Sequence, residues 1–380
     1  MLIPLSNEPR DYAWGSPTLL AELEGRTPSG APEAEVWFGD HPGDPSETPD
    51  GRTLDRRIAE EGAALGIRSP LPYLLKLLAA ASPLSIQAHP SKAQAETGFA
   101  REEAAGIPRD AAHRMYRDDN HKPELIVAIS DTFRALAGLR DLAETRRLLD
   151  ALGSAAAPLA ERLAADSPAA VVGWLLSDGA DVARAVTAAA VDAEVDGFAD
   201  ELALVRRLDA DFPGDPGIVV ALLMNLVTLR RGEGLFVPAG VLHAYLEGLG
   251  VELMAASDNV LRGGLTPKHV DAAELAAVLV DATGAVPLVR PRAVADRVAS
   301  YDVPVPDFGL LVAHPDGEPA VAFLPGPAIA LATSGETVIT GGASGESVPL
   351  APGQAVLVTP DEGELRVDGR GEVFVAVPGR

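Results

Sequence analysis

Apolar residues change their period twice along this chain, and that change restricts the fold more than any other feature. Over residues 1–140, short apolar runs are broken by turn formers: Pro28-Ser29-Gly30, His41-Pro42-Gly43-Asp44-Pro45 and Pro49-Asp50-Gly51. Glycine and proline at this density end strands and set tight turns, so the segment reads as β-structure with a few helices. From about 141 to 224 the spacing becomes helical. Leu142, Leu148, Leu149 and Leu152 recur before Gly153, and Ala/Leu/Arg segments continue through Arg206 and Arg207. Residues 225–262 return to strand texture at Leu226–Leu229, Gly234–Val237 and Val251–Ala255, and Ala272–Val280 is a helix candidate. Beyond about 290, short strands recur between Gly/Pro turns: Leu310–Ala313, Ala320–Phe323, Ala328–Ala332, Thr337–Thr340, Ala355–Thr359 and Val373–Val377. That pattern is a small β-sandwich or barrel.

A chain of 380 residues exceeds one ordinary core, so two or three domains are expected. There is no cysteine, which excludes disulfides, thiolate metal sites and cysteine nucleophiles. Asp plus Glu outnumber Lys plus Arg by 55 to 31, a net charge of −24 that repels nucleic acid and anionic membranes. Against that field, any local cluster of cations is informative. Met1-Leu2-Ile3-Pro4-Leu5 lacks the basic region and long apolar run of a secretory leader. No run reaches the roughly 18 apolar residues of a membrane span; Asn225 and Thr228 interrupt even Pro216–Leu229. The cytoplasm is the expected compartment.

The most specific local signal is Gly232-Glu-Gly-Leu-Phe-Val-Pro238-Ala-Gly240-Val-Leu-His243. Its spacing resembles the second signature of the cupin superfamily, a jelly-roll barrel that commonly holds a metal. Pro238 and Gly240 shape a tight turn, and the next strand points His243 inward. The position four residues on, often Asn in that pattern, is Glu247 here. In Ser85-Ile86-Gln87-Ala88-His89-Pro90, strand alternation puts Ser85, Gln87 and His89 on one face and Leu84, Ile86 and Ala88 on the other. In Asn120-His121-Lys122-Pro123-Glu124, Lys122 and Glu124 share a face at the start of the apolar strand Leu125–Ile129. A carboxylate entering a barrel interior needs a metal or a cation. Gln87, His89, Glu124 and His243 together offer two imidazole nitrogens and two oxygens. Such a set suits zinc, with manganese, cobalt, nickel and ferrous iron as alternatives. Arg262 and Lys268 flank a Gly-Gly turn that either grips a phosphate or is an ordinary solvated loop. His113, His269 and His314 read as surface or loop residues, and His41 as structural. Dinucleotide, P-loop, nucleophile-elbow and His-Glu-x-x-His signatures are absent.

Taken in order, these blocks resemble the type I phosphomannose isomerase family. Tyr12-Ala-Trp14-Gly15-Ser16 and Glu35-Val-Trp37-Phe-Gly39-Asp-His41-Pro42 are similar to its amino-terminal motifs. Pro83–Pro90, His121–Glu124, Pro238–Tyr245 and Ser257–Lys268 are similar to its active-site blocks. The resemblance covers roughly residues 10–140 and 215–275. It implies a mainly β chain with a helical insertion: a cupin jelly-roll catalytic domain (1–140 plus 225–275), an α-helical domain (141–224) and a C-terminal β jelly-roll domain (276–380). It further implies an aldose–ketose isomerase interconverting mannose 6-phosphate and fructose 6-phosphate, with one Zn2+ per chain on Gln87, His89, Glu124 and His243. The family's other active-site positions fall on Ser85, Lys76, Lys122, Tyr245, Glu252, Arg262 and Lys268. Glu252 or a metal-bound hydroxide is the base, and Lys122 or Lys76 the proton donor or field source. Arg262 and Lys268 anchor phosphate, or one of them covers the reacting carbons. The expected partner is a small sugar phosphate, with neither nucleic acid nor membrane, and the chain is expected as a monomer. The rival readings are a non-catalytic sugar-phosphate-binding cupin, and a metal-dependent cupin oxygenase or an unrelated sugar-phosphate isomerase; an oxygenase more often shows His-x-His where this chain has Gln-x-His.

Overall fold

The structure is a computed structural model that describes residues 1–67 and 69–379. Its strands are β1 (Leu2–Leu5), β2 (Glu35–Phe38), β3 (Tyr73–Ala80), β4 (Gln87–Ala88), β5 (Glu124–Ala128), β6 (Thr132–Leu139), β7 (Met224–Arg230), β8 (Gly234–Val237), β9 (His243–Ala255) and β10 (Leu261–Arg262). The carboxy-terminal part adds β11 (Leu288–Val289), β12 (Arg292–Ala295), β13 (Val298–Tyr301), β14 (Phe308–Ala313), β15 (Ala320–Phe323), β16 (Ala328–Gly341), β17 (Ser347–Leu350), β18 (Ala355–Val358) and β19 (Glu364–Pro378).

Strand β9 organises the first sheet. Its first half pairs with β4 and β6, and its second half with β3 and β5. The bend falls at Gly248, where φ is 123°. A Cβ there would lie 2.8–2.9 Å from Phe133 and the Thr132 carbonyl, so only glycine fits the turn. Bent in this way, one ten-stranded antiparallel sheet becomes two facing leaves: β2-β3-β9-β5-β8-β11 and β10-β4-β9-β6-β7. Leu78, Ile126, Ala128 and Val237 from one leaf meet Phe133, Ala135, Val227 and Leu229 from the other. The expected cupin-type β-domain is present in this form. Its strand pairing forms no closed ring among the described residues.

The insertion is helical, with helices at Leu142–Ala151, Ala157–Ala165, Pro168–Leu175, Ala180–Asp192, Ala199–Asp211 and Gly217–Leu223. Asp141 caps the first by accepting from the Ala143 and Glu144 amides. Leu148, Leu149, Val186, Leu202 and Leu208 cover the outer face of the second leaf, meeting Ile86, Ala88, Leu136, Ala244 and Leu246. The helix expected at Ala272–Val280 runs Ala272–Val278 and stops where Leu279 turns extended. Among the described residues, no helix is long and apolar enough to cross a membrane.

The second sheet has nine strands in the order β1-β18-β16-β19-β14-β13-β12, with β15 on β19 and β17 on β16. Strand β1 comes from the opposite end of the chain. The outer face of the first leaf (Leu75, Leu77, Leu125, Leu253) packs on Tyr301, Phe308, Leu310 and Phe374 of this sheet. The Tyr73 hydroxyl spans the junction, within 3.0 Å of the Pro327 carbonyl and 3.2 Å of that of Ala376.

The two short strands expected at Ala328–Ala332 and Thr337–Thr340 are one strand, β16. A bulge between Ala332 and Ser334 absorbs the turn signal of Gly335 without ending the pairing with β19. Gly335 has φ 74°, and a Cβ there would sit 2.0 Å from the Arg370 carbonyl oxygen and 2.7 Å from the Gly371 Cα. Gly335→Ala is therefore expected to destabilise the chain by about 2–3 kcal/mol. A melting curve that matches wild type within error refutes this account of the bulge.

Candidate metal centre

At one end of the interleaf space, β4 pairs with both β9 and β10, setting Gln87 directly opposite His243 and Arg262. Opposed residues of antiparallel strands project from the same face, so these three side chains share a face. Regular strand geometry at the Gln-x-His segment is confined to Gln87–Ala88. The extended chain on either side is held by Leu84 N–H to Tyr245 O at 2.9 Å and Gly240 N–H to His89 O at 2.8 Å. Ser85 lies half-buried in that flank. Glu124 opens β5 on the facing leaf, opposite Met254.

His89, Glu124 and His243 converge, each offering a ligand atom within 4.8 Å of the others. His89 Nε2 lies 3.1 Å from Glu124 Oε1, and His243 Nε2 lies 3.2 Å from Glu124 Oε2. His89 Nδ1–H donates to the Asn259 carbonyl at 2.7 Å, and His243 Nδ1–H to the Val241 carbonyl at 3.2 Å. These bonds fix the tautomers that leave both Nε2 lone pairs facing the carboxylate. Both Nε2 atoms are fully buried and have no hydrogen-bond partner, because neither contact with Glu124 meets hydrogen-bond geometry. Buried polar atoms are rarely left this way. Burial pushes the His89 imidazole down to about 4, so it is neutral near pH 7, the state a metal requires. Two imidazole nitrogens and a carboxylate fit zinc well.

The surrounding charges sharpen the case. Burial alone raises the Glu124 carboxyl, but Lys122, His89 and His243 outweigh it and hold the group well below the usual carboxylate range. Lys122 Nζ is 2.8 Å from Glu124 Oε1, as shared strand faces predict. Lys76 on β3 lies 3.1 Å from Glu252 and 3.7 Å from Glu35, and 4.8 Å from the centre of the Trp37 ring. Burial lowers the Lys76 ammonium, yet Glu35, Glu252 and Glu124 together raise it, so it stays charged. Burial raises the Glu252 carboxyl, with Lys76 opposing and Glu124 and Glu35 reinforcing. The Tyr245 hydroxyl, pushed well above its usual range by burial and by Glu124 and Glu252, donates to Glu124 Oε2 at 3.3 Å. Three buried carboxylates thus face two ammonium groups, and the His89 imidazole adds no charge. A divalent cation reverses that deficit.

Arg262 is half-buried at the open end of this face, while Lys268 is exposed on the loop beyond it. His113 and His314 are exposed, as expected of surface residues, and His269 also lies on a loop. His41 is buried edge-on to Trp37, 3.6 Å from Asp258, and Glu247 points away to Arg207 at 2.6 Å. Sequence reasoning did not reach Glu35, Asn259 or Asp307. Glu35 shares a strand face with Trp37, a signal the alternation rule could have found. Asp307, from the carboxy-terminal part, lies 2.8 Å from His121 Nε2, and nothing local announces it.

Fold and site together define a metal-binding protein of the cupin type. The family model "Phosphomannose isomerase type I, catalytic domain" matches residues 2–142. The mannose-6-phosphate isomerase of Escherichia coli (strain K12) is 36% identical over 387 residues, covering 97% of each chain. The human mannose-6-phosphate isomerase is 32% identical over 410 residues, covering 95% of this chain and 94% of its own. A crystal structure of mannose 6-phosphate isomerase from Salmonella typhimurium, bound to substrate and a zinc atom, superposes with a TM-score of 0.88 at 33% identity, covering all of both chains. The chain belongs to the type I phosphomannose isomerase family.

Proposed function

We infer that this protein is a zinc-dependent aldose–ketose isomerase that interconverts mannose 6-phosphate and fructose 6-phosphate. The observation that carries the reading is the buried His89–Glu124–His243 group, with its two unpartnered imidazole nitrogens, beside the Lys76–Glu252 pair. Gln87 is assigned as the fourth metal ligand from its register opposite His243. Bound zinc supplies Lewis acidity toward the sugar carbonyl. Glu252, a carboxyl of raised basicity, is assigned the proton transfer between the two carbons. Lys76 fixes its position, and Lys122 holds Glu124 while adding positive field on the metal side. Tyr245 stays protonated and bridges the two carboxylates' surroundings, and Ser85 lines the approach. Arg262 and Lys268 anchor the phosphate.

We assign residues 1–140 and 225–275 to a catalytic domain, 141–224 to a helical domain and 276–380 to a carboxy-terminal β-domain. A cytoplasmic monomer is the state we assign, since a net charge of −24 opposes association of copies.

A coupled assay on zinc-loaded protein tests the reading. Mannose 6-phosphate is expected to be turned over orders of magnitude faster than mannose. Arg262→Ala is expected to lower kcat/KM by the equivalent of about 2–5 kcal/mol, as for truncating one partner of a desolvated charge pair. Binding without turnover would instead leave a sugar-phosphate-binding protein, and equal rates on the two sugars would remove the phosphate anchor.

A further inference from the structure

Arg117 lies on the loop before β5, and that loop is fastened at two places to the segment carrying Arg262 and Lys268. First, the Arg117 N–H donates to Asn259 Oδ1 at 2.7 Å, while Asn259 Nδ2 donates to the carbonyls of Asp118 at 2.9 Å and Asn120 at 2.8 Å. Asn259 is fully buried and stands three residues before Arg262. Second, the rings of His113 and His269 meet edge-on with centroids 6.4 Å apart, and His269 follows Lys268 directly. The backbone at Arg117 is therefore held to the segment that carries both cations.

Among the described residues, none of these three cations forms an ion pair with a carboxylate. The nearby Asp118 is turned inward, accepting from Ser257 Oγ at 2.8 Å, the Asp258 amide at 2.7 Å and the Asn120 amide at 2.9 Å. Asp215 is likewise engaged by the Gly217 amide at 2.7 Å and the Thr266 amide at 3.3 Å. The repulsion is felt at Arg262 and Lys268. Burial lowers Arg262 and Arg117 lowers it further; burial, Arg262 and Arg117 all lower Lys268. A cluster of cations held together in a strongly acidic chain is stabilised by an anion that enters from outside.

We propose that Arg117 is the third cation of the phosphate grip, closing on the phosphate of the sugar substrate from the loop opposite Arg262 and Lys268. This rests on the isomerase reading for its substrate, and on the two loop contacts for its geometry. A guanidinium offers paired N–H donors to phosphate oxygens, and three cations match a doubly charged phosphate ester better than a singly charged ester.

The test uses Arg117→Ala and Arg117→Lys in the full zinc-loaded chain, with thermal melting to establish that each is folded. Arg117→Ala is expected to raise the KM for mannose 6-phosphate about 10- to 100-fold, the factor for losing one charge-assisted contact, with kcat within a few-fold. Inorganic phosphate, titrated directly by calorimetry, is expected to bind more weakly by a similar factor. Arg117→Lys is expected to recover most of both losses. Unchanged KM and unchanged phosphate affinity in Arg117→Ala overturn the assignment. So does a fall in kcat alone, which would mark a merely structural loop residue. If the wild-type chain does not turn over mannose 6-phosphate, the isomerase reading fails, while the phosphate titration still decides the role of Arg117.

Discussion

Stripping the metal from this protein is expected to abolish isomerase activity and to lower its melting temperature at the same time. The reason is local charge. Glu124 is 1% exposed, Glu252 3% and Glu35 6%, and among the described residues Lys76 and Lys122 are the ammonium groups that pair with them. Without a divalent ion, the His89 and His243 Nε2 lone pairs stay buried and unmatched. A ligand that binds only the folded state stabilises it by RT ln(1 + [L]/Kd), or about 4 kcal/mol at a thousandfold excess over Kd. The chelated protein is therefore expected to melt several degrees lower, and zinc or cobalt to restore both properties. Protons compete for the same lone pairs. In the metal-free fold the His89 imidazole titrates at about 4, against 6.5 when unperturbed. Below about pH 6.5 the unfolded chain binds the proton that the folded chain refuses, so this residue's contribution falls as pH drops from 6.5 toward 4. Metal loss is expected in the same window. Metal analysis, turnover and melting on one dialysed sample check the claim. Full activity in rigorously metal-free protein would falsify it.

Much of this centre was legible because strand alternation is a local rule. Lys122 and Glu124 two residues apart, and Glu252 on the face away from Leu253, follow from period-two geometry. The order of blocks along the chain then supplied the family resemblance, and with it the expectation that distant segments converge. Features set by the approach of segments far apart in sequence were not legible. The leaf fold depends on one bent strand, and Gly248 looks like any strand-breaking glycine until Phe133 is packed against it. The pairing of β1 with β18 joins residues at least 350 apart. Asn259 acts twice, through a backbone carbonyl that orients His89 and a side chain that holds the 117–120 loop. Neither role has a sequence signature. The continuity of β16 ran against a local signal, since Gly335 reads as a turn and is accommodated as a bulge.

Glu252→Gln is expected to leave substrate affinity within a few-fold and to slow the chemical step by about 10²–10⁴. The substitution keeps the shape of the side chain and its oxygen toward Lys76, and removes only the basic site. Lys76 retains Glu35 at 3.7 Å, so its charge is not stranded. The position suits a base because three influences meet there. Burial and the neighbouring carboxylates raise the carboxyl, Lys76 at 3.1 Å keeps the ionised form accessible, and β9 holds the side chain directly opposite Lys76 on β3 and Ile126 on β5. A carboxylate acts as base only when ionised, so the wild-type rate is expected to fall on the acid side through a value above the ordinary glutamate range of about 4.3. The glutamine variant is expected to lose that limb along with most of its rate. Exchange of the substrate's C2 hydrogen with solvent gives an independent reading, because it reports the proton transfer without product release. A folded Glu252→Gln protein that keeps wild-type turnover and exchange would make Glu252 a structural partner of Lys76. The proton transfer would then return to a lysine or to solvent at the metal.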